Sequence, residues 1–303
     1  MKNFFTIGVV FITLIASLNL LSIDVMAYVP AIPFSTFNYE TDSHSVQGEY
    51  IEIWENENLK EDFTLKKNQD IRITSLKSTN GRLVIKNGAT IIVKGEIFIE
   101  RGGILDIENG TVIIDGGNIT NCGTIKIGKK GALKVQSGTL NSTAAGTIQS
   151  NGSIACLSSG KKINSCFNSI KKYDSNFSLS DYSLLINSKS NSAKITMNYC
   201  INDIMTNYKY SFSINTKDKK IKIVHSNYSL KTVYNSQTAQ KLQERVSSFE
   251  KSHTKELNFK MWYWQDYGYS YDYKSKELVY SAKWVSYDDL KGEFLENSFS
   301  EKV

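Results

Sequence analysis

"NGTVIIDGGNITNCGTIKIG", residues Asn109 to Gly128, is rich in glycine, yet β-branched residues return between the glycines at nearly fixed intervals. Val112 and Ile114 flank one residue, Ile119 follows a glycine pair, and Ile125 and Ile127 flank another. Apolar residues at i and i+2 have the period of a strand, not of a helix. A phosphate cradle needs a Gly-rich loop that opens a helix, and the apolar spacing after these glycines is again that of a strand. The stretch reads as one coil of something that repeats.

The same pairs run on either side, from Phe63/Leu65 through Ile71/Ile73 to Leu133/Val135 and Ile154. Ile91, Val112, Leu133 and Ile154 are spaced by 21, 21 and 21 residues. Leu83, Leu105, Ile125 and Ile148 are spaced by 22, 20 and 23, and Ile97, Ile119 and Leu140 by 22 and 21. Three short strands and three turns in each ~21 residues describe a triangular β-solenoid. The corners agree: Asn87-Gly88-Ala89, Asn109-Gly110-Thr111, Lys130-Gly131-Ala132 and Asn151-Gly152-Ser153 precede equivalent strands. Asn and Gly bend sharply at small cost, and a small residue leaves room for the coil above. The expected fold is mainly β: a short parallel β-helix of four to five coils over residues 63–156, then an α+β domain.

"FTLKKNQDIRI" running into "GRLVIKNGATIIVKGEIFI" resembles the opening coils of secreted bacterial β-helix proteins, in particular the short-coil, filamentous-haemagglutinin type of adhesin. The resemblance covers roughly residues 60–156. It implies a right-handed parallel β-helix and a secreted or surface role, and it transfers no functional residue.

The residue between each apolar pair points away from the core. Val84, Ile92, Phe98 and Ile113 are apolar at such positions, whereas later coils place Lys126, Lys134, Gln149 and Asn141 there. Apolar residues outside a solenoid imply a cover or a partner, so these four are a candidate contact surface. Burial under residues 28–60 or under the C-terminal region is the plainer alternative.

Residues 1–27 differ in kind. Lys2 precedes an apolar run from Phe4 to Ile23, and Val25-Met26-Ala27 supplies the small residues of a cleavage site before Tyr28. This is the pattern of a secretory signal peptide cut after Ala27, with a retained membrane anchor as the alternative. Residues 28–62, rich in Glu, are expected to cap the helix. The net charge is +6 over 303 residues, which suits an anionic surface such as a cell wall or acidic glycan. It is too small and dispersed to predict nucleic-acid binding. Four cysteines (Cys122, Cys156, Cys166, Cys200) are too few for a disulfide framework. Cys156 and Cys166 are the candidate bridge, and four thiols the alternative.

Beyond Gly160 the periodic glycines stop, and residues 157–192 read as a linker. Residues 193–303 form the α+β domain. Ile195/Met197/Tyr199/Ile201, Tyr208/Tyr210/Phe212/Ile214 and Ile221/Ile223 alternate as an antiparallel meander. Ser236 caps a helix over 236–252 whose stripe is Ala239, Leu242, Val246 and Phe249. A short final helix is expected near Leu290–Asn297. "LNFKMWYWQDYGYSYDY" offers a row of rings on one strand, the requirement of a sugar-stacking platform. Trp262, Trp264, Tyr269 and Tyr271 are its candidates, with ordinary core packing as the alternative.

Catalysis finds little support. His44, His225 and His253 stand apart without metal-ligand spacing, and there is no Gly-x-Ser-x-Gly elbow. Carboxylates with Lys or Arg on a solenoid face are what a β-helix lyase or glycosidase would need, but corners of two to four residues leave no loops to wall a cleft. No cofactor or metal is expected. The leading expectation is an exported protein that binds a glycan, the wall or another surface protein. A polysaccharide-active enzyme and a structural surface component are the alternatives.

Overall fold

The computed structural model describes residues 49–76, 79–157, 160–171, 174–216, 222–225, 234–252, 263–288 and 293–303. The expected signal segment 1–27, residues 28–48 of the expected cap, His44, His253 and Trp262 lie outside them.

The described chain opens as a parallel β-solenoid of about five turns. The first turn is β1 (Glu49–Ile53), β2 (Asn56–Leu59) and β3 (Phe63–Leu65). The second is β4 (Gln69–Ile73), the short hairpin β5 (Ser75–Leu76) and β6 (Thr79–Asn80), then β7 (Arg82–Ile85) and β8 (Thr90–Val93). The later turns comprise β9 (Glu96–Ile99), β10 (Ile104–Ile107), β11 (Thr111–Asn121), β12 (Thr124–Ile127), β13 (Ala132–Ser142), β14 (Thr147–Ser150) and β15 (Ser153–Cys156). The strands stack as three walls. Wall A is β1-β4-β9-β11-β13, wall B is β2-β7-β10-β12-β14, and wall C is β3-β8-β11-β13-β15. Strands β11 and β13 serve two walls because each runs on through the corner between C and A.

The columns read from sequence are the columns observed. Ile91, Val112, Leu133 and Ile154 pair directly down wall C. Leu83, Leu105, Ile125 and Ile148 do so down wall B. Ile71, Ile97, Ile119 and Leu140 do so down wall A. All are 3% exposed or less. Burial at ~25 cal/mol per Å² of apolar surface makes this bore the main source of stability. The coils approach too closely for side chains at the corners: a Cβ on Gly117 would collide with the carbonyl oxygen of Gly95, and one on Gly138 with that of Gly117.

The first turn begins at Glu49, inside the segment expected as a cap. Residues 157–192, expected as a linker, hold β16 (Lys161–Lys162), α1 (Asn164–Lys171), a 3-10 turn at Leu179–Asp181 and β17 (Tyr182–Ser188). They close the solenoid end. Strand β16 pairs antiparallel with β15, the 3-10 turn contacts β14, and β17 pairs antiparallel with the second half of β13. Ile163, Cys166 and Ile170 are buried against the last turn, which is why a Ser/Asn-rich segment is ordered here.

Wall A therefore continues without a break into β18 (Ser192–Ile201), β19 (Ile204–Asn215), β20 (Lys222–His225), β21 (Tyr263–Asp272), β22 (Glu277–Asp288) and β23 (Glu293–Lys302), one sheet of 16 strands. The meander β18-β19-β20 is antiparallel as expected. The expected helix is α2 (Ser236–Ser252), with Leu242, Val246 and Phe249 buried. In place of a helix at the end of the chain, Glu293–Lys302 pairs along the whole of β22. Alternation of half-buried Asn297 and Phe299 with exposed Ser298 and Ser300 fits that edge strand.

Candidate functional site

The most concentrated ionisable constellation lies on the outer side of wall A. Ile71 and Ile73 point into the bore, so Arg72 between them points out. Pairing places Glu52 before it and Phe98 after it in one column. Arg72 is 3% exposed, and its guanidinium carbon lies 5.6 Å from the Phe98 ring centroid, a cation–π distance. Burial pushes the carboxyls of Glu52, Asp70 and Glu100 above the ordinary range, and the Arg72 charge offsets part of that in each. Glu52 adds repulsion at Glu100. Carboxyls that take protons this readily are of the kind general acid–base chemistry uses.

On wall B, Arg82 donates to Asp106 at 2.5 Å and stands 3.9 Å from Glu108. On wall C the outward column is Thr64, Ile92, Ile113, Lys134 and Ala155. The four outward apolar residues do not make one patch, because they stand on three walls. Phe98 at 1% exposure and Val84 at 2% are buried, the first under Arg72, the second between Asn58 and Asp106 in its column. Ile92 and Ile113, neighbours on wall C, are half-buried.

Several outward columns also carry hydroxyls and amides; the charged and apolar columns of walls A and B are among them on the later turns. Thr90 pairs with Thr111, Asn118 with Thr139, Thr120 with Asn141, and Thr124 with Thr147. Each pair sets two polar side chains one rung, ~4.8 Å, apart.

The aromatic strand is placed differently. Tyr269 and Tyr271 share a face of β21, and that face meets α2 and its neighbours. The Tyr269 ring lies 6.4 Å from Phe249 and 5.0 Å from Tyr280, and its hydroxyl donates to Glu250 at 3.0 Å. Burial and the Glu250 carboxylate together hold that phenol well above its usual range. Tyr271 is 9% exposed, with Tyr234 at 6.4 Å. Both rings are committed to internal packing. Trp264 lies opposite Trp284 in the β21–β22 pairing. Tyr182, Tyr199, Tyr208 and Tyr210 form a further buried aromatic group, with the Tyr208 and Tyr210 hydroxyls 2.8 Å apart.

Cys156 and Cys166 are fully buried, in β15 and α1, with no disulfide between them. Burial pushes the Cys156 thiol up to about 11 despite Lys161 nearby. Among the described residues there is no group of three or more His, Cys, Asp or Glu side chains able to hold a metal ion. Among the described residues no helix is long and apolar enough to cross a membrane.

Fold and surface define a class: a β-solenoid whose first wall runs on into an antiparallel sheet. No family model matches the chain, and neither the curated proteins nor the solved structures provide a match.

Proposed function

We propose that this is an exported protein that binds an extracellular glycan or wall polymer on the solenoid surface. The observation that supports it is the set of outward Thr and Asn pairs on the solenoid walls. Hydroxyl and amide groups set one rung apart can bond neighbouring hydroxyls of a polysaccharide. Ile92 and Ile113, half-buried side by side, add an apolar strip for sugar ring faces. Apart from Thr120, which is buried and donates to Glu96, the paired Thr and Asn residues are half-buried or exposed beside short corners. Export through cleavage after Ala27 belongs to the same reading, and intact mass of the secreted protein, starting at Tyr28, is its check.

Pull-down of the purified protein on insoluble wall polysaccharide and on a glycan array tests the binding. Retention on at least one polymer, weakened by Ile92→Glu with Ile113→Glu, is expected. No retention on any wall or glycan preparation would overturn the proposal.

A second reading, a polysaccharide lyase or glycosidase, is favoured by one observation: the raised carboxyls of Glu52, Asp70 and Glu100 around Arg72. Release of reducing ends, abolished by Glu52→Gln or Asp70→Asn, would establish it.

A further inference from the structure

The net charge of +6, expected above to be dispersed, is in fact concentrated in one segment. Residues 109–171 hold seven lysines, one aspartate (Asp115) and no other charged side chain, so this segment carries the entire excess. The structure gathers most of these lysines at one edge. Lys126 points outward on wall B, Lys129 and Lys130 are exposed at the corner between walls B and C, and Lys134 points outward on wall C. In the Lys134 column the next rung is Ala155, and the one after is exposed Lys162 on β16, with Lys161 beside it. Two rungs put Lys134 and Lys162 roughly 10 Å apart across a small side chain. Nearby carboxylates are engaged elsewhere: Asp106, the rung before Lys126, accepts from Arg82; Asp115 accepts from Ser137 at 3.0 Å; and Glu108, one rung before the lysine corner, stands 3.9 Å from Arg82.

The chemistry around this edge narrows the kind of polyanion. Residues 109–163 contain no aromatic side chain and no arginine. This segment therefore supplies no stacking ring and no guanidinium fork, and Arg82, two rungs away on wall B, is held by Asp106 and Glu108. The outward residues of the last two turns are chiefly Lys, Thr, Ser, Asn, Gln and Ala; the apolar neighbours Ile92 and Ile113, which precede Lys134 in its column, are half-buried in the wall and do not project as a bilayer wedge would. What remains is ammonium groups set among hydroxyls and amides. We infer that the edge formed by Lys126, Lys129, Lys130, Lys134 and Lys162 binds an acidic polysaccharide, the lysines pairing with its carboxylates while the neighbouring Thr, Ser, Asn and Gln side chains bond its hydroxyls. The inference rests on the glycan-binding proposal above and adds to it the sign of the polymer's charge and the residues that meet it.

Immobilised polygalacturonate and immobilised neutral dextran are the probes. Three forms of the protein are compared: wild type, a basic-edge variant (Lys129→Gln, Lys130→Gln, Lys134→Gln, Lys162→Gln), and a charge-matched control (Lys60→Gln, Lys66→Gln, Lys67→Gln, Lys94→Gln) at exposed positions of the first two turns. Wild type and control bind polygalacturonate, and raising salt weakens them. The basic-edge variant loses about tenfold or more, since four charge contacts, three of them at exposed lysines, each contribute up to a few-fold. The pairs Lys129/Lys130 and Lys134/Lys162, replaced separately, each give part of that loss, which keeps the test sound if the fourfold variant melts early. Equal loss in control and basic-edge variants overturns the assignment. Retention on dextran alone overturns it while leaving the glycan proposal standing, and retention on neither probe overturns the acidic reading outright. Tighter binding to duplex DNA or to anionic phospholipid vesicles than to polygalacturonate also overturns it.

Discussion

Replacing Gly117 by alanine adds one methyl group where the solenoid has no space for it. Its Cβ would overlap the carbonyl oxygens of Gly95 and Val93 and the carbonyl carbon of Lys94, all backbone atoms of the coil above. Because no flexible side chain can give way, relief requires the two coils to part. Overpacking costs roughly 1–3 kcal/mol, and a backbone-only clash belongs at the upper end, about 3 kcal/mol. Gly116, the preceding residue, is the internal comparison. Its φ is +88°, but nothing lies within 4 Å of the position a Cβ would take. Gly116→Ala therefore costs only the left-handed conformation, about 1–2 kcal/mol. Thermal melts followed by circular dichroism translate these into drops of roughly 6–12 °C for Gly117→Ala and 2–8 °C for Gly116→Ala, at about 2–4 °C per kcal/mol. If Gly117→Ala melts with the wild type, or later than Gly116→Ala, the coils are not in the close contact described.

Three other outcomes follow from the geometry. Glu52, Asp70 and Glu100 have raised carboxyls in the folded chain, so between their ordinary and raised values the folded form holds more protons than the unfolded one. Their contribution is fully present below the ordinary carboxylate range and is lost as pH rises through the raised values. Denaturation midpoints should therefore fall as pH rises through that window, and the triple variant Glu52→Gln, Asp70→Asn, Glu100→Gln should flatten the trend. Asp272 and Glu277, held low by hydrogen bonding, act in the opposite sense and at lower pH: their contribution is present above the ordinary carboxylate range and is lost as pH falls through their lowered values. The thiols of Cys156 and Cys200 are each pushed up to about 11 by burial, so a thiolate-directed reagent at pH 8 should label both only after denaturant is added. If export oxidises Cys156 and Cys166 to a bridge, the intact mass of the secreted protein falls by two hydrogens and full labelling then also requires a reductant.

The solenoid was legible because inward residues recur at i, i+2 in coils of nearly constant length, so chain spacing and rung pairing coincide. Its first turn was hidden for two reasons. The β5–β6 hairpin lengthens the next coil, and Glu57 occupies the wall B column that Leu83 and Leu105 fill later. The closing elements α1 and β17 were missed because their order comes from packing on the last turn, which Ser/Asn-rich composition does not announce. For Tyr269 and Tyr271, the period of two shows that the rings share a face; whether that face meets solvent or α2 is a tertiary fact. The Arg72 cluster escaped notice because Glu52, Arg72 and Phe98 come from three coils at unequal spacings, 20 and 26 residues apart. The basic edge, by contrast, was countable in the sequence: residues 109–171 contain seven lysines and a single carboxylate.

The most direct measurement of the functional account is the affinity of the purified protein for soluble polygalacturonate across a series of salt concentrations. Lysine contacts to repeated carboxylates predict binding at low salt that weakens steadily as the Debye length shrinks from ~30 Å at 0.01 M to ~8 Å at 0.15 M. Absence of binding at the lowest salt, or an affinity indifferent to salt, would contradict it.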